Sequence, residues 1–193
     1  MSAILPDLQT PRLTLRGLQT EDVMPLCSYR SLPEVARFQS WSSFSPEDAK
    51  RLIASQANLK PGVPGTWFQF AILERETGRM IGDCGLHCLQ ENARLMEVGI
   101  TLAPAAQKQG FATEALICLL DFVFGTLQAH RVSGVTDVEN AAAASLFLHL
   151  GFRKEAQFTE HRWYKGHWDS EFVFAMLQRE WKARSPGGLD LRG

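Results

Sequence analysis

MEVGITLAPAAQKQGFATEAL, residues 96–116, is the stretch on which the fold turns. Its first part alternates: Met96, Val98, Ile100 and Leu102 fall on one face of a strand, and Glu97, Gly99 and Thr101 on the other. Its last part opens a helix in which Leu116, Leu119, Leu120, Val123, Phe124 and Leu127 recur at the i, i+3, i+4 spacing, so one side is buried against a sheet. Between strand and helix lie a flexible cation, Lys108, a glycine, Gly110, and the small residues Ala112 and Thr113. The free amides of a helix's first turn carry partial positive charge and hold phosphate where the backbone can be closely approached. A diphosphate site and a tight strand-to-helix turn packed with small residues are both open readings of this junction. G-x-x-x-x-G-K-[ST] and G-x-G-x-x-G are absent, which excludes a P-loop and a dinucleotide fingerprint.

Working outward, TPRLTLRGL alternates as a first strand with Leu13 and Leu15 inward, and Thr20, Glu21 and Asp22 open a helix capped by Thr20. SPEDAKRLIASQANL has the signature of a helix start, with Ser45 as cap, Pro46 in the first turn and acids behind it. WFQFAILE, ETGR and MIGDCGLHCL form a hairpin and LMEVGITLA the next strand. A helix over 110–128, the strand HRVSGVTDV, a helix over 140–149 and a closing hairpin, QFTEHRWY and DSEFVFAML, complete the order. The pattern predicts one α/β domain over residues 1–182 whose mixed sheet is mostly antiparallel, with a parallel step across the central helix. Residues 183–193, SPGGLDLRG among them, read as a mobile tail.

The net charge of -1 and the 45% hydrophobic fraction describe an ordinary globular chain without the basic surplus of a nucleic-acid or membrane surface. No apolar run approaches a membrane span and MSAILPDLQ lacks the pattern of a secretion signal, so the expected compartment is the cytoplasm. Four cysteines spread through core-like segments suit reduced thiols. Cys84, His87 and Cys88 invite a zinc reading, but they sit in an alternating strand without a second pair, and no metal is expected.

Gln107-Lys108-Gln109-Gly110-Phe111-Ala112 fits Q/R-x-x-G-x-G/A, and the chain thereby resembles the GNAT superfamily of N-acetyltransferases. The segments TPRLTLRGLQTEDV, GRMIGDCGL, HRVSGVTDVENAAA, LGF and YKGHWDSEFVFAML follow in the order of the ribosomal-protein-alanine acetyltransferase branch, so the likeness covers roughly residues 8–182. It implies a twisted sheet whose fourth and fifth strands splay to admit acetyl-coenzyme A. Main chain at Ile100, Thr101 and Leu102 would then hold the pantetheine arm, and amides from Gln107 through Lys108, Gln109, Gly110, Phe111 and Ala112 to Thr113 the diphosphate. Asn140, eleven residues before Gly151, matches the family's coenzyme-contacting Asn; capping the next helix is its other reading.

The chemistry implied is direct attack of an amine on the thioester. Only the neutral amine attacks, so its proton must be collected. An α-amine of pKa about 7.8 is roughly one-seventh neutral at pH 7, and a lysine near 10.4 is harder to deprotonate by about 3.5 kcal/mol. Glu97, two residues before Gly99, is the candidate base; pairing with a surface Arg or Lys is its alternative role. Glu114 reads as a helix-dipole charge. Relatives carry a Ser three residues after the Asn, or a Tyr four before the Gly, to protonate the thiolate. Here Ala143 and Phe147 stand at those places, and Ser145 is rotated by about 200° from position 143. Tyr164 or a water becomes the acid.

The variable first helices and last hairpin of the family wall the acceptor pocket, which points to Trp41, Phe44, Trp67, Trp163 and Trp168; core packing is the alternative for each. His161 and His167 flank the final turn, either helping the acceptor or lying on the surface. The acceptor expected is a small-molecule amine or a protein N-terminus, and the protein a monomer or homodimer. A non-catalytic acyl-coenzyme A sensor is the competing function.

Overall fold

The computed structural model describes residues 7–184. In chain order the elements are β1 (Leu8–Gln9), β2 (Leu13–Gly17), α1 (Val23–Arg30), α2 (Pro33–Ala36), α3 (Pro46–Gln56), β3 (Trp67–Glu74), β4 (Met80–Cys88), β5 (Leu95–Leu102), α4 (Phe111–Asp121), β6 (Arg131–Asp137), α5 (Ala141–His149), β7 (Arg153–Tyr164), β8 (His167–Leu177) and α6 (Gln178–Lys182). The expected segments are present, joined by three short elements that periodicity does not reveal: β1, α2 and α6.

The eight strands form one sheet in the order β1-β2-β3-β4-β5-β6-β8-β7, mixed and mostly antiparallel as expected. Only β5 and β6 run parallel, and they pair only at Leu95–Glu97 against Arg131–Ser133. Beyond Glu97 the two strands part. Residues 98–102 therefore keep β4 on one side and present an unpaired edge on the other. The gap lies at the centre of the sheet, beside the head of α4.

The main core fills the space between one sheet face and α4, with Phe70, Leu86, Val98, Leu116, Leu119 and Val123 buried. The helix continues past Asp121 as a π turn, Phe122–Thr126, which keeps Phe122, Val123 and Phe124 buried in succession. A smaller cluster around Leu26, Tyr29 and Ala49 seats α1 and α3 on the other face. There Asp83, fully buried, accepts Tyr29 Oη at 2.5 Å and Arg30 Nη2 at 2.5 Å. A buried charge needs such partners.

Two caps show how local sequence shapes these helices. Ser45 Oγ accepts Asp48 N at 3.2 Å while Asp48 accepts Ser45 N at 2.8 Å, a reciprocal box behind Pro46. The expected cap at Thr20 is displaced by one residue: Asp22 accepts Gln19 N at 2.7 Å and Arg16 locks that carboxylate, so Thr20–Asp22 forms a 3-10 turn. Of the segment read as a tail, Ala183 and Arg184 are described; Ala183 ends α6, and the Arg184 guanidinium lies 4.8 Å over the Trp181 ring and donates to Leu150 O. The expectation for residues 185–193 falls outside the described residues.

Candidate active site

The head of α4 is set by its backbone. Gly110 stands just before its first turn in the left-handed region at φ 77°, with no side chain to bond the free amides, and Lys108 before it has φ 60°, which turns the chain sharply out of β5. A glycine holds this geometry without strain. Glu114, buried in the first turn, accepts Thr10 Oγ1 at 2.5 Å, Arg12 N at 2.9 Å and Arg12 Nε at 2.6 Å, fastening α4 to the start of β2. Burial alone would push the Glu114 carboxyl up; the bonds from Thr10 and Arg12 outweigh it and hold the group below the usual range. Its role is thus a long-range tie as well as a dipole charge.

Among the described residues, no acceptor meets the amides of Lys108, Gln109, Gly110, Phe111, Ala112 or Thr113. Two other helices differ: α3 is capped by Ser45, and α5, which borders the site, by Asn140, whose Oδ1 accepts Ala143 N at 3.1 Å. The uncapped end of α4 opens into a 550 Å³ cavity. Ile100, Thr101, Leu102, Gln107, Lys108, Gly110, Ala112, Thr113 and Asn140 line it, with Glu34, Val35, Phe38 and Gln39 as roof. The side chains of Gln109 and Phe111 are engaged elsewhere: Gln109 Nε2 donates to Ala105 O at 2.6 Å, and Phe111 is buried beneath the Arg12 guanidinium, 4.4 Å from its ring.

A second cavity of 390 Å³ lies on the other side of the gap. Phe38, Gln39, Ile100, Asn140, Ala143 and Leu146 border both, so the two are arms of one cleft. The register Glu97 to Ser133 to Ala175, with Asp137 opposite Glu171, places Glu97, Asp137, Glu171 and Asp169 on one sheet face. Arg162 Nη2 meets Glu171 at 2.7 Å and Asp169 at 3.4 Å. His161 Nε2 lies 3.1 Å from Glu171, and His167 Nε2 2.7 Å from Asp169, but both histidines are exposed and neither borders the cleft, so they flank the acidic wall from the surface. Glu97 has no hydrogen bond or ion pair among the described residues. Burial raises its pKa; His87 opposes that and Glu171 reinforces it.

Tyr164 reaches this arm, but its hydroxyl donates to Gln39 O at 2.5 Å, and burial pushes its ionisation up. Lys165 Nζ donates to Ala36 O at 2.6 Å, Gln39 O at 2.9 Å and Trp41 O at 2.7 Å. Together they hold the roof onto the closing hairpin. Ser145 borders the first arm and not the second. Thr136, on β6, borders the second arm, and its Oγ1 is the buried side-chain polar atom without a partner among the described residues. An unmet hydroxyl of this kind costs about 1–3 kcal/mol. Nothing in its strand's pattern could have marked it, whereas Asp169 and Glu171 alternate visibly along β8.

None of the four expected tryptophans borders the cleft, nor does Phe44. Trp41 Nε1 donates to Arg30 O at 2.9 Å, with the Arg30 guanidinium 4.4 Å from its ring; Phe44 shares that cation at 5.0 Å. Trp67 stacks on His87 at 4.8 Å, and Trp163 meets Trp168 edge-on at 5.5 Å. Strand alternation separates His87 from the buried Cys84 and Cys88, and no metal-holding group of His, Cys, Asp or Glu occurs among the described residues.

An uncapped, open helix head thus lies beside a parted parallel strand pair. A family model for the acetyltransferase (GNAT) domain matches residues 12–153. The chain is 33% identical over 90% of its length to the uncharacterized N-acetyltransferase p20 of Bacillus licheniformis, 97% of which is covered. In structure it is similar to a GNAT-family acetyltransferase from Bacillus anthracis, with TM-score 0.82 at 20% identity over 91% of this chain and 100% of that one. It is also similar to spermidine N-acetyltransferase from Vibrio cholerae in complex with CoA and spermine, with TM-score 0.77 at 22% identity over 90% of this chain and 99% of that one. The chain belongs to the GNAT acetyltransferase family and is an acyl-coenzyme A-dependent N-acetyltransferase.

Proposed function

We propose that the chain transfers an acetyl group from acetyl-coenzyme A to a primary amine by direct attack in a ternary complex. The observation that carries this is the run of partnerless amides at Lys108–Thr113, opening into a cleft whose far arm holds an unpaired Glu97. Those amides would take the diphosphate, with Lys108 as a mobile counter-charge. The unpaired edge of β5 at Ile100, Thr101 and Leu102 has main-chain groups to pair with the amides of the pantetheine arm, as a sheet edge pairs with an added strand. The acyl group then points toward Gly99 and Glu97. An added Cβ at Gly99 would meet nothing within 4 Å, so an acceptor has room there.

The acceptor arrives as a cation, which the Glu97, Asp137, Asp169 and Glu171 face attracts. Glu97 collects the proton. A carboxylate whose pKa is raised by burial is a stronger base than an exposed one, which narrows the gap to the ammonium. A small polycation such as spermidine, the substrate class of the Vibrio cholerae neighbour, and an exposed protein N-terminus both fit this charge. Four unbridged cysteines suit the reducing cytoplasm, where we place the protein.

The test follows free thiol released from acetyl-coenzyme A with spermidine, an amino sugar and an alanine-led peptide as acceptors. Amine-dependent release is expected, saturable in at least one of them. Tight coenzyme binding with no release above hydrolysis for any acceptor would leave only the sensor reading.

A further inference from the structure

We infer that Thr136 supplies the hydrogen bond that stabilises the departing coenzyme A thiolate. The inference rests on the acetyl-transfer reading above and adds a residue to it.

The end of the cleft where the thioester would lie is otherwise short of donors. Position 143 is Ala, and Phe147 has no hydroxyl. The Phe147 ring meets β6 tip-first: a Cβ added to Gly134 would sit 2.2 Å from its Cζ. A tyrosine at 147 would drive its hydroxyl into the strand. Tyr164 already donates to Gln39 O. Thr136 lies two residues beyond Gly134 on the same side of β6, in the part of the strand that has separated from β5. Continuing the parallel register past Glu97–Ser133 sets Thr136 across the gap from Ile100, which borders both arms. It is therefore placed where the two arms join. The residue is 7% exposed, and its Oγ1 is shielded with no partner among the described residues. The partner left for that hydroxyl is a group that enters the cleft, and a turn about Cα–Cβ between staggered rotamers brings it to bear.

In the step itself the amine lone pair forms the C–N bond, and the C–S bond breaks with its electron pair on sulfur. The proton lost from the attacking nitrogen goes to Glu97. The thiolate accepts a hydrogen bond from Thr136, which keeps its own proton, and the sulfur is protonated by solvent on release. The products are the N-acetyl amine and coenzyme A. A donor fixed in place stabilises charge only as it appears on sulfur, so it acts on the chemical step.

Thr136→Val removes the hydroxyl and keeps the shape; Thr136→Ser keeps the donor. Titrating the thiol of bound coenzyme A by its thiolate absorbance requires no acceptor. Relative to a free thiol near about 8.5, the wild-type and Thr136→Ser complexes should titrate lower, and the Thr136→Val complex about 0.5–1 unit above wild type. With an active acceptor, kcat should fall about tenfold in Thr136→Val with KM for acetyl-coenzyme A within about twofold, and Thr136→Ser should retain most of the rate. The melting temperature of free Thr136→Val should not fall, because an unpaired polar group has been replaced by carbon. Equal thiol titration in wild type and Thr136→Val, or full kcat in Thr136→Val, overturns the assignment. A thiol shift in a protein that acetylates no amine would keep Thr136 and remove the acetyl-transfer reading. Failure of wild type to bind coenzyme A would remove both.

Discussion

At the head of α4 the groups offered to a ligand are main-chain amides, and the side chains around them serve to hold that backbone still. Glu114 is pinned by Thr10 and Arg12, Gln107 Nε2 donates to Leu102 O at 3.1 Å, and Gly110 sets the turn. In the arm beyond the gap the order is reversed: among the described residues Glu97 and Thr136 are side chains without partners, Glu97 on the face where Asp169 and Glu171 are met by Arg162, and Thr136 on the opposite face of β6. The two glutamates summarise the contrast in physical terms. Glu114 is buried and over-satisfied, which holds its pKa down; Glu97 is half-buried and unsatisfied, and its partial burial raises its pKa. The first arrangement stabilises the fold, and the second stores reactivity at a cost in stability. Substitutions in the two arms should accordingly separate binding from chemistry.

The largest effect is expected at Gly110. Gly110→Asp adds a negative charge among the amides that would hold the diphosphate, and coenzyme A affinity measured by calorimetry should fall by more than about 100-fold. Asp tolerates the left-handed region better than most residues, so the melting temperature should drop only by what about 1–2 kcal/mol of backbone strain implies. Gly110→Ala brings similar strain without charge and should lose much less affinity. Equal losses in the two variants would mean that shape, and not the field of the helix head, governs this arm.

Next in size is Glu97→Gln, which should lower kcat at pH 7 by about 100-fold while leaving coenzyme affinity unchanged. Stability should move the other way. A carboxyl with a raised folded-state pKa contributes stability while it is protonated and loses that contribution as pH rises through the folded value. Glu97→Gln cannot ionise, so it should melt above wild type at pH 8 and match it near pH 4. A drop in melting temperature across the whole range would place Glu97 in a structural pair instead.

The same contrast explains what could be foreseen. The junction at 107–113 was legible because a strand alternation, a glycine and a helix periodicity are local patterns, and what it offers a ligand is main chain, whose position those patterns fix. The order of elements along the chain and the single parallel step followed for the same reason. Ser45 was legible as a cap; Thr20 was not, because Arg16 competes for Asp22 from the adjoining strand and shifts the turn by one residue. The far arm depends on which side chains lack partners, and that is decided by residues distant in sequence. Tyr164 and Lys165 find the carbonyls of residues 36–41 across more than 120 positions. The tryptophans, prominent by composition, are taken up by Arg30, His87 and Trp168.

A smaller effect, on stability, is expected at Phe147. Restoring a tyrosine looks like a gain of a catalytic hydroxyl, but the tip of the ring already abuts Gly134. Phe147→Tyr should destabilise by about 1–3 kcal/mol through overpacking, read by denaturant unfolding, and should not raise kcat. A stable variant with a faster rate would show that the ring can tilt into the cleft and that the far arm is looser than its packing implies.

The smallest effect is expected at Trp163, where the sequence pointed to a substrate wall. Its side chain is 61% exposed, rests on Trp168 and borders neither arm, whereas the next residue, Tyr164, points to the roof. Alternation along β7 places the two on opposite faces, so a change at 163 should leave the cleft untouched. Trp163→Ala should change the acceptor KM by less than about twofold and the melting temperature by no more than an exposed aromatic pair supports, about 0.5–1.5 kcal/mol. A tenfold rise in KM with coenzyme affinity unchanged would show that the acceptor extends over the outer face of the hairpin. The far arm would then be a passage through the sheet to an outer binding surface, and its acidic wall would attract the acceptor without fixing its position.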